Sequence, residues 1–222
     1  METMIELYFA PGACSFVPHV GLELIRAATG TSFEAKLVKL HKSEHRSPDY
    51  VQMNPDGQVP VLVVDGKPLT QIVAICDYLD RRFPQVGLLP ADLWSRAQAT
   101  SLLAWMNNTV HPTFTHIFRV DTFAKEESSR ADVRGVATAL YRQLLGRLQD
   151  RIARADPWLL GDKLSFVDAY TVTLLRWGGM AGIDPDSLPT YKAYVERLAQ
   201  QPAIAAALER ERLPLHTYKK PA

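Results

Sequence analysis

Ile5-Glu6-Leu7-Tyr8-Phe9-Ala10-Pro11-Gly12-Ala13-Cys14-Ser15 reads as a strand that ends in a turn and opens a helix. Ile5 to Phe9 is a short apolar run, alternating only in part, and Pro11-Gly12 stops it. Val17, Val20, Leu24 and Ala28 then recur at helical spacing, so residues 16–28 are predicted to be a helix. Working outward, Phe33 to Leu40 alternates apolar and charged residues and predicts a second strand. Val59 to Val64 predicts a buried strand, Asp65-Gly66 a hairpin turn, and Pro68-Leu69-Thr70 the return. Ile72, Ile75, Cys76, Leu79 and Phe83 restore helical spacing over residues 72–83. The order is β-α-β followed by β-β-α.

After Pro84 the strand signals stop. Residues 92–118 predict a long helix, bent near Pro112, whose ring lacks the N–H that the ladder needs. In residues 131–154, Val133, Val136, Ala137, Leu140, Leu144, Leu148 and Ile152 trace one stripe, expected to face the core. A further helix starts at Ser165, and two shorter ones fit residues 189–200 and 202–210. Residues 211–222 are polar and proline-bearing and predict a loose tail. The expected organisation is therefore an α/β domain over residues 1–84, a linker over 85–91 marked by Gly87 and Pro90, and an all-helical domain over 92–222.

The chain has 222 residues and a net charge of +1, so no excess of positive charge favours a nucleic-acid partner. Hydrophobic residues at 47% and charged residues at 22% are globular in character. No apolar run approaches the roughly 18 residues of a membrane span. The Met1-Glu2-Thr3-Met4 start lacks the basic and apolar regions of a signal peptide. With two cysteines, Cys14 and Cys76, a disulfide framework and a four-cysteine zinc site are excluded, and the six histidines fall at no metal-ligand spacing. The expectation is a cytoplasmic protein with free thiols, no metal, and neither a nucleic-acid nor a membrane partner.

Five features carry chemistry. Cys14 sits between a strand and a helix, where the partial positive charge of unpaired N–H groups is expected to lower a thiol pKa; the alternative is a small buried core residue. Val17 stands where a C-x-x-C pair would place its second cysteine, so Cys14 has no local resolving thiol, and a disulfide there would form with an outside one. Val59-Pro60 puts a proline at the mouth of a buried strand, which a cis bond would accommodate. Thr70-Gln71-Ile72 enters a helix whose N–H groups can receive a carboxylate, or simply form a capped start. Asn107, Asn108 and His111 form a polar patch on a long helix, facing either a cleft or the interior. Ser165-Phe166-Val167-Asp168 is a capping box with Asp in place of Glu, and a folding role is expected of it.

The strand ending in Pro-Gly-Ala-Cys-Ser, the later Asn54-Pro55-Asp56-Gly57-Gln58-Val59-Pro60-Val61-Leu62, Val110-His111, and Leu160-Gly161-Asp162 before the Ser-x-x-Asp box together resemble the cytosolic glutathione transferases. The set is most similar to the bacterial Beta class, whose characteristic residue is this N-terminal cysteine. The resemblance implies a thioredoxin-like domain followed by a helical bundle, joined as a homodimer, with glutathione as co-substrate. It implies that Cys14 meets the glutathione sulfur and that Val59, before Pro60, pairs with the cysteinyl backbone. It further implies that Gln71 and Ile72 hold the γ-glutamyl end and that His111 approaches the thiol, with Asn108 and Lys42 at the edges. Conjugation needs an apolar pocket for the electrophile, for which Phe16, Trp105, Phe114, Phe118 and Trp177 are the candidates.

The chain departs from that family's pattern at three positions. Gln71-Ile72 replaces an acid followed by Ser or Gly, and Pro112 replaces the lysine that close relatives carry beside the histidine. Three readings follow: conjugation of glutathione to hydrophobic electrophiles, glutathione-dependent thiol–disulfide exchange through Cys14, or a catalytically silent binding protein of the same fold.

Overall fold

The computed structural model describes residues 4–220. The readings made on Met1–Thr3 and on the last two residues of the tail lie outside them.

The N-terminal part is one four-stranded mixed sheet in the order β2-β1-β3-β4. β1 (Ile5–Phe9) turns Ile5, Leu7 and Phe9 inward and leaves Glu6 and Tyr8 half-buried, the period-two pattern of its sequence. It pairs in parallel with β2 (Glu34–Leu37) across the crossover helix α1 (Phe16–Thr29), and antiparallel with β3 (Val61–Val64), Leu7 facing Leu62. β3 folds onto β4 (Lys67–Thr70) through Asp65-Gly66, both with positive φ, as a tight hairpin requires. α3 (Ile72–Arg82) follows directly. This is a thioredoxin-like arrangement.

β2 is shorter than expected. It is an edge strand with Leu37 exposed, and beyond Val38 the chain breaks into 3-10 turns at Leu40–Lys42 and Glu44–Arg46, hinged at left-handed Ser43. The short α2 (Pro48–Met53) was not anticipated, although Ser47-Pro48 is a start signal: the Ser47 hydroxyl accepts from the Tyr50 N–H and Pro48 occupies the first turn. Tyr50 joins Val38, Val61 and Val63 in a small second core.

The helical part begins with α4 (Leu93–Trp105), a π-turn over Met106–Val110, and α5 (His111–Phe118). The predicted long helix is thus interrupted just before Pro112, and the His111 N–H reaches back five residues to the Met106 carbonyl. Pro112 has no N–H for the ladder, and the widened turn absorbs that defect. Arg96 of α4 forks onto Asp77 and Asp80 of α3 at 2.6 Å each, and Asp80 also accepts from the Leu89 N–H, so the segment between α3 and α4 is pinned at both ends.

α6 (Glu127–Ile152) carries a correction. Ala137, Leu144, Leu148 and Ile152 are buried as expected, but Val136 and Leu140 are 64% and 45% exposed. Tyr141 and Leu145 go inward instead. The Tyr141 hydroxyl finds the Leu174 carbonyl at 2.9 Å, so this polar tip is satisfied and the large ring can be buried. α7 (Phe166–Met180) is the central helix, with every residue from Phe166 to Gly178 buried. α8 (Pro189–Ala199) and α9 (Pro202–Arg210) close the bundle.

α1 crosses α7 at Gly21, where an added Cβ would lie 2.2 Å from the Phe166 ring. Only a hydrogen fits. Gly21→Ala gains up to about 1 kcal/mol of helix propensity but forces an overpacked contact costing about 1–3 kcal/mol. A net loss in denaturant midpoint is expected, and an unchanged midpoint would contradict this packing.

The tail is not loose over its described length. The Arg176 guanidinium donates to the Pro214 carbonyl at 2.9 Å, and the Thr217 hydroxyl donates to the Arg176 carbonyl. Leu213 and Leu215 pack on the core. Glu211, read as part of a polar tail, is buried.

Candidate functional site

An open cavity of about 580 Å³ lies where the sheet faces α5, lined among others by Cys14, Val59, Pro60, Gln71, Ile72, Asn107 and His111. The groups named arrive from four breaks in regular structure: the turn after β1, the loop before β3, the start of α3 and the π-turn.

Cys14 stands in the turn between β1 and α1. Ser15 braces that turn, its hydroxyl accepting from the Ala10 N–H and donating to the Ala10 carbonyl. The far side is held by the helical part: Trp177 Nε1–H donates to the Gly12 carbonyl at 2.9 Å, and the Gly12 N–H donates to Glu211 Oε2 at 2.9 Å. Glu211 Oε1 in turn pairs with His19 Nδ1 of α1 at 2.8 Å. Sequence reasoning missed Glu211 because its partners lie almost 200 residues away in the chain.

The expected lowering of the Cys14 pKa is not found. Cys14 is only 8% exposed, and burial pushes its thiol up to about 12, the nearby Glu211 carboxylate adding to the shift while backbone N–H groups oppose it. The helix proper starts two residues later, at Phe16. Desolvation of the anion therefore outweighs the helix-end charge. The thiol is neutral and donates to the Val59 carbonyl at 3.6 Å.

The Val59-Pro60 peptide is cis. Asn54 shapes the loop before it, its Nδ2 donating to the Gln58 carbonyl at 2.8 Å and its Oδ1 accepting from the Asp56 N–H; the Tyr50 hydroxyl also donates to Gln58 O. Asn54, Gln58 and Thr115 line the cavity without having been singled out as site residues, although Asn54 and Gln58 stand in the Asn-Pro-Asp-Gly-Gln run that carried the resemblance; Thr70 lines it from the turn already read as entering a helix. Gln71 has φ +71° and is exposed at the start of α3. Ile72 sends its side chain into the core, so its bulk does not fill the cavity.

His111 is brought to the cavity by the π-turn, in contact with Trp177 at 4.6 Å between ring centroids. Burial lowers its pKa to about 4, so the ring is neutral at pH 7. Phe114 stacks between Trp177 and Phe118, at 4.7 and 5.7 Å, making an aromatic ladder beside His111 that ends in 61% exposed Phe118.

Phe114, Phe118 and Trp177 do not themselves line the cavity, and four further candidates are placed elsewhere. Phe16 is wholly buried in the core beneath the Cys14 turn. Trp105 packs under the guanidinium groups of Arg147 and Arg151. Lys42 lies on the exposed 3-10 segment and does not line the cavity. Asn108 points away, exposed and accepting from Asn107, and Asn107 lines the cavity in its place because the π-turn rotates that stretch. Ser165 and Asp168 form the expected capping box, away from the cavity.

Two family models match the chain: the glutathione S-transferase N-terminal domain over residues 5–81 and the C-terminal domain over residues 91–202. Glutathione S-transferase GST-4.5 of Xanthomonas campestris is 34% identical over 214 residues, covering 94% of this chain and 100% of the relative. A glutathione transferase homologue from Sulfitobacter, solved with bound glutathione, superposes with a TM-score of 0.86 at 27% identity, covering 96% of this chain and 100% of that one. The bacterial beta class glutathione S-transferase of Sphingomonas chungbukensis gives 0.79 at 30% identity, covering 94% and 100%.

Proposed function

The chain belongs to the glutathione S-transferase family, a family of transferases, and from that premise we propose that it binds glutathione and conjugates its thiolate to hydrophobic electrophiles. The observation that carries the reading is the convergence of Cys14, the Val59-Pro60 edge, the start of α3 and His111 on one cavity. In this reading Val59 pairs by its backbone with the cysteinyl part, while the Gln71 side chain and the Ile72 N–H take the γ-glutamyl end. The sulfur lies between Cys14 and His111, and the electrophile stacks at the exposed end of the Phe114–Phe118 ladder. Membership of the Beta class belongs to the same proposal, supported by the likeness to the bacterial beta class enzyme of Sphingomonas chungbukensis. The homodimer belongs to the same proposal, favoured by the exposed Leu93 and Trp94 that open α4. So does a cytoplasmic location; no helix among the described residues is long and apolar enough to cross a membrane.

Calorimetric titration of reduced glutathione into the reduced protein is expected to give saturable binding, one per chain. Gln71 in place of an acid removes one charged hydrogen bond, which weakens binding by about 1–3 kcal/mol without abolishing it. Turnover with a panel of aryl halides, epoxides and enones then identifies the electrophile. Absence of heat at millimolar glutathione would overturn the proposal and bring forward the silent binding protein, which the Gln71, Ile72 and Pro112 departures favour.

A further inference from the structure

Tyr170 of α7 takes no part in the proposed binding, yet its hydroxyl is the only protein group within hydrogen-bond distance of the His111 ring among the described residues, at 2.9 Å from Nδ1. The same hydroxyl donates to Asn107 Oδ1 at 3.3 Å. Asn107 has its own orientation fixed, since its Nδ2 donates to Asn108 Oδ1 at 2.9 Å. A tyrosine hydroxyl carries one proton. Asn107 Oδ1 can only accept, so a Tyr170 proton directed at it leaves the hydroxyl oxygen to accept from His111 Nδ1–H.

We propose that Tyr170 is a positioning residue that holds His111 as the Nδ1–H tautomer, so that Nε2 presents a bare lone pair at the cavity. Nδ1 faces the interior through Tyr170, and Trp177 packs against the ring, so the edge left for the cavity is the one bearing Nε2. The ring stays neutral, consistent with the burial that depresses its protonation. The opposite wall supplies the complementary group, because the Cys14 thiol is protonated and can donate. A sulfhydryl held between them accepts from Cys14 and donates to His111, which fixes both the position and the orientation of the sulfur. The tyrosine is suited to the task because it is itself fully buried, and burial holds its hydroxyl well above the usual tyrosine range. This role rests on the glutathione reading for its purpose, though not for its geometry.

The test reads the tautomer directly. Nitrogen-15 spectra of histidine-labelled apoprotein at pH 7, with the His111 signal assigned by its loss in His111→Gln, are expected to show a protonated Nδ1 and a bare Nε2. Tyr170→Phe keeps the packing ring and removes the oxygen; losing one hydrogen bond should shift the tautomer ratio about tenfold toward Nε2–H. The same variant should lose about tenfold in kcat with an aryl halide, while KM for glutathione stays within about twofold. An Nε2–H ring in the wild type, or a ratio unmoved by Tyr170→Phe, overturns the proposal. If the variant fails to fold, the wild-type spectrum alone decides. Because the spectrum is taken without glutathione, it fails or holds separately from the titration that tests the proposed function.

Discussion

Replacing Asp168 by alanine is expected to cost about 3–5 kcal/mol of stability, which places it among the most damaging single changes in the chain. The sequence pattern alone foretells a capping box worth roughly 1 kcal/mol, and the structure raises that figure. Asp168 is completely buried at the start of α7. Its Oδ2 accepts from the Ser165 N–H at 2.8 Å and from the Ser165 hydroxyl at 2.5 Å. Its Oδ1 accepts from the Leu159 N–H at 3.0 Å and from the Tyr194 hydroxyl of α8. One carboxyl group therefore joins the helix cap, the loop before it and the neighbouring helix. Burial raises its pKa while these donors pull it down, burial prevailing. Alanine leaves the donors facing a hole, and an unsatisfied buried donor costs about 1–3 kcal/mol. Asparagine should fare little better, since its amide turns N–H toward groups that are themselves donors. Tyr194→Phe removes only one partner and should cost about 1 kcal/mol. Melting curves order the three variants, with Asp168→Ala about 6–20 °C below the parent. A melting point within about 2 °C of the parent would refute the argument.

The fold was legible where local chemistry decides it. Asp65-Gly66 fixes the hairpin, Pro11-Gly12 ends β1, and the alternation of Ile5, Leu7 and Phe9 turns the strand toward the core. The lining of the candidate cavity was legible where a residue stands at a break in regular structure, as Cys14, Val59, Gln71 and His111 do. It failed where distant partners decide. Nothing near Glu211 in the chain announces that it will hold Gly12 and His19. Nothing near Val136 and Leu140 says that α6 turns Tyr141 and Leu145 inward instead, because that choice belongs to the surface of α7. Asn107 and Asn108 are indistinguishable in sequence, and only the π-turn selects between them. The Cys14 pKa failed for a related reason: the helix-end charge is local and readable, whereas desolvation depends on everything packed around the thiol.

That shift in Cys14 gives the second large effect. At pH 8 an exposed cysteine with a pKa near 8.5 is about one-quarter thiolate, whereas a thiol at about 12 is about one part in ten thousand. Alkylation of Cys14 by iodoacetamide in the glutathione-free protein should therefore be about 10³-fold slower than that of a free thiol, because the thiolate is the reacting form. The rate should rise about tenfold per pH unit up to pH 10, without the plateau that a low pKa would produce. Cys76, fully buried and raised by the same desolvation, should not compete, and Cys14→Ala should abolish the remaining labelling. Rapid labelling at pH 7 would show that Cys14 is an activated nucleophile after all. The expected slow reaction bears on mechanism: thiol–disulfide exchange draws on the same scarce thiolate, so hydroxyethyl disulfide should be a poor substrate. A neutral Cys14 cannot attack, but it can donate. On glutathione binding its hydrogen can pass from the Val59 carbonyl to the incoming sulfur, where it stabilises the anion that conjugation requires.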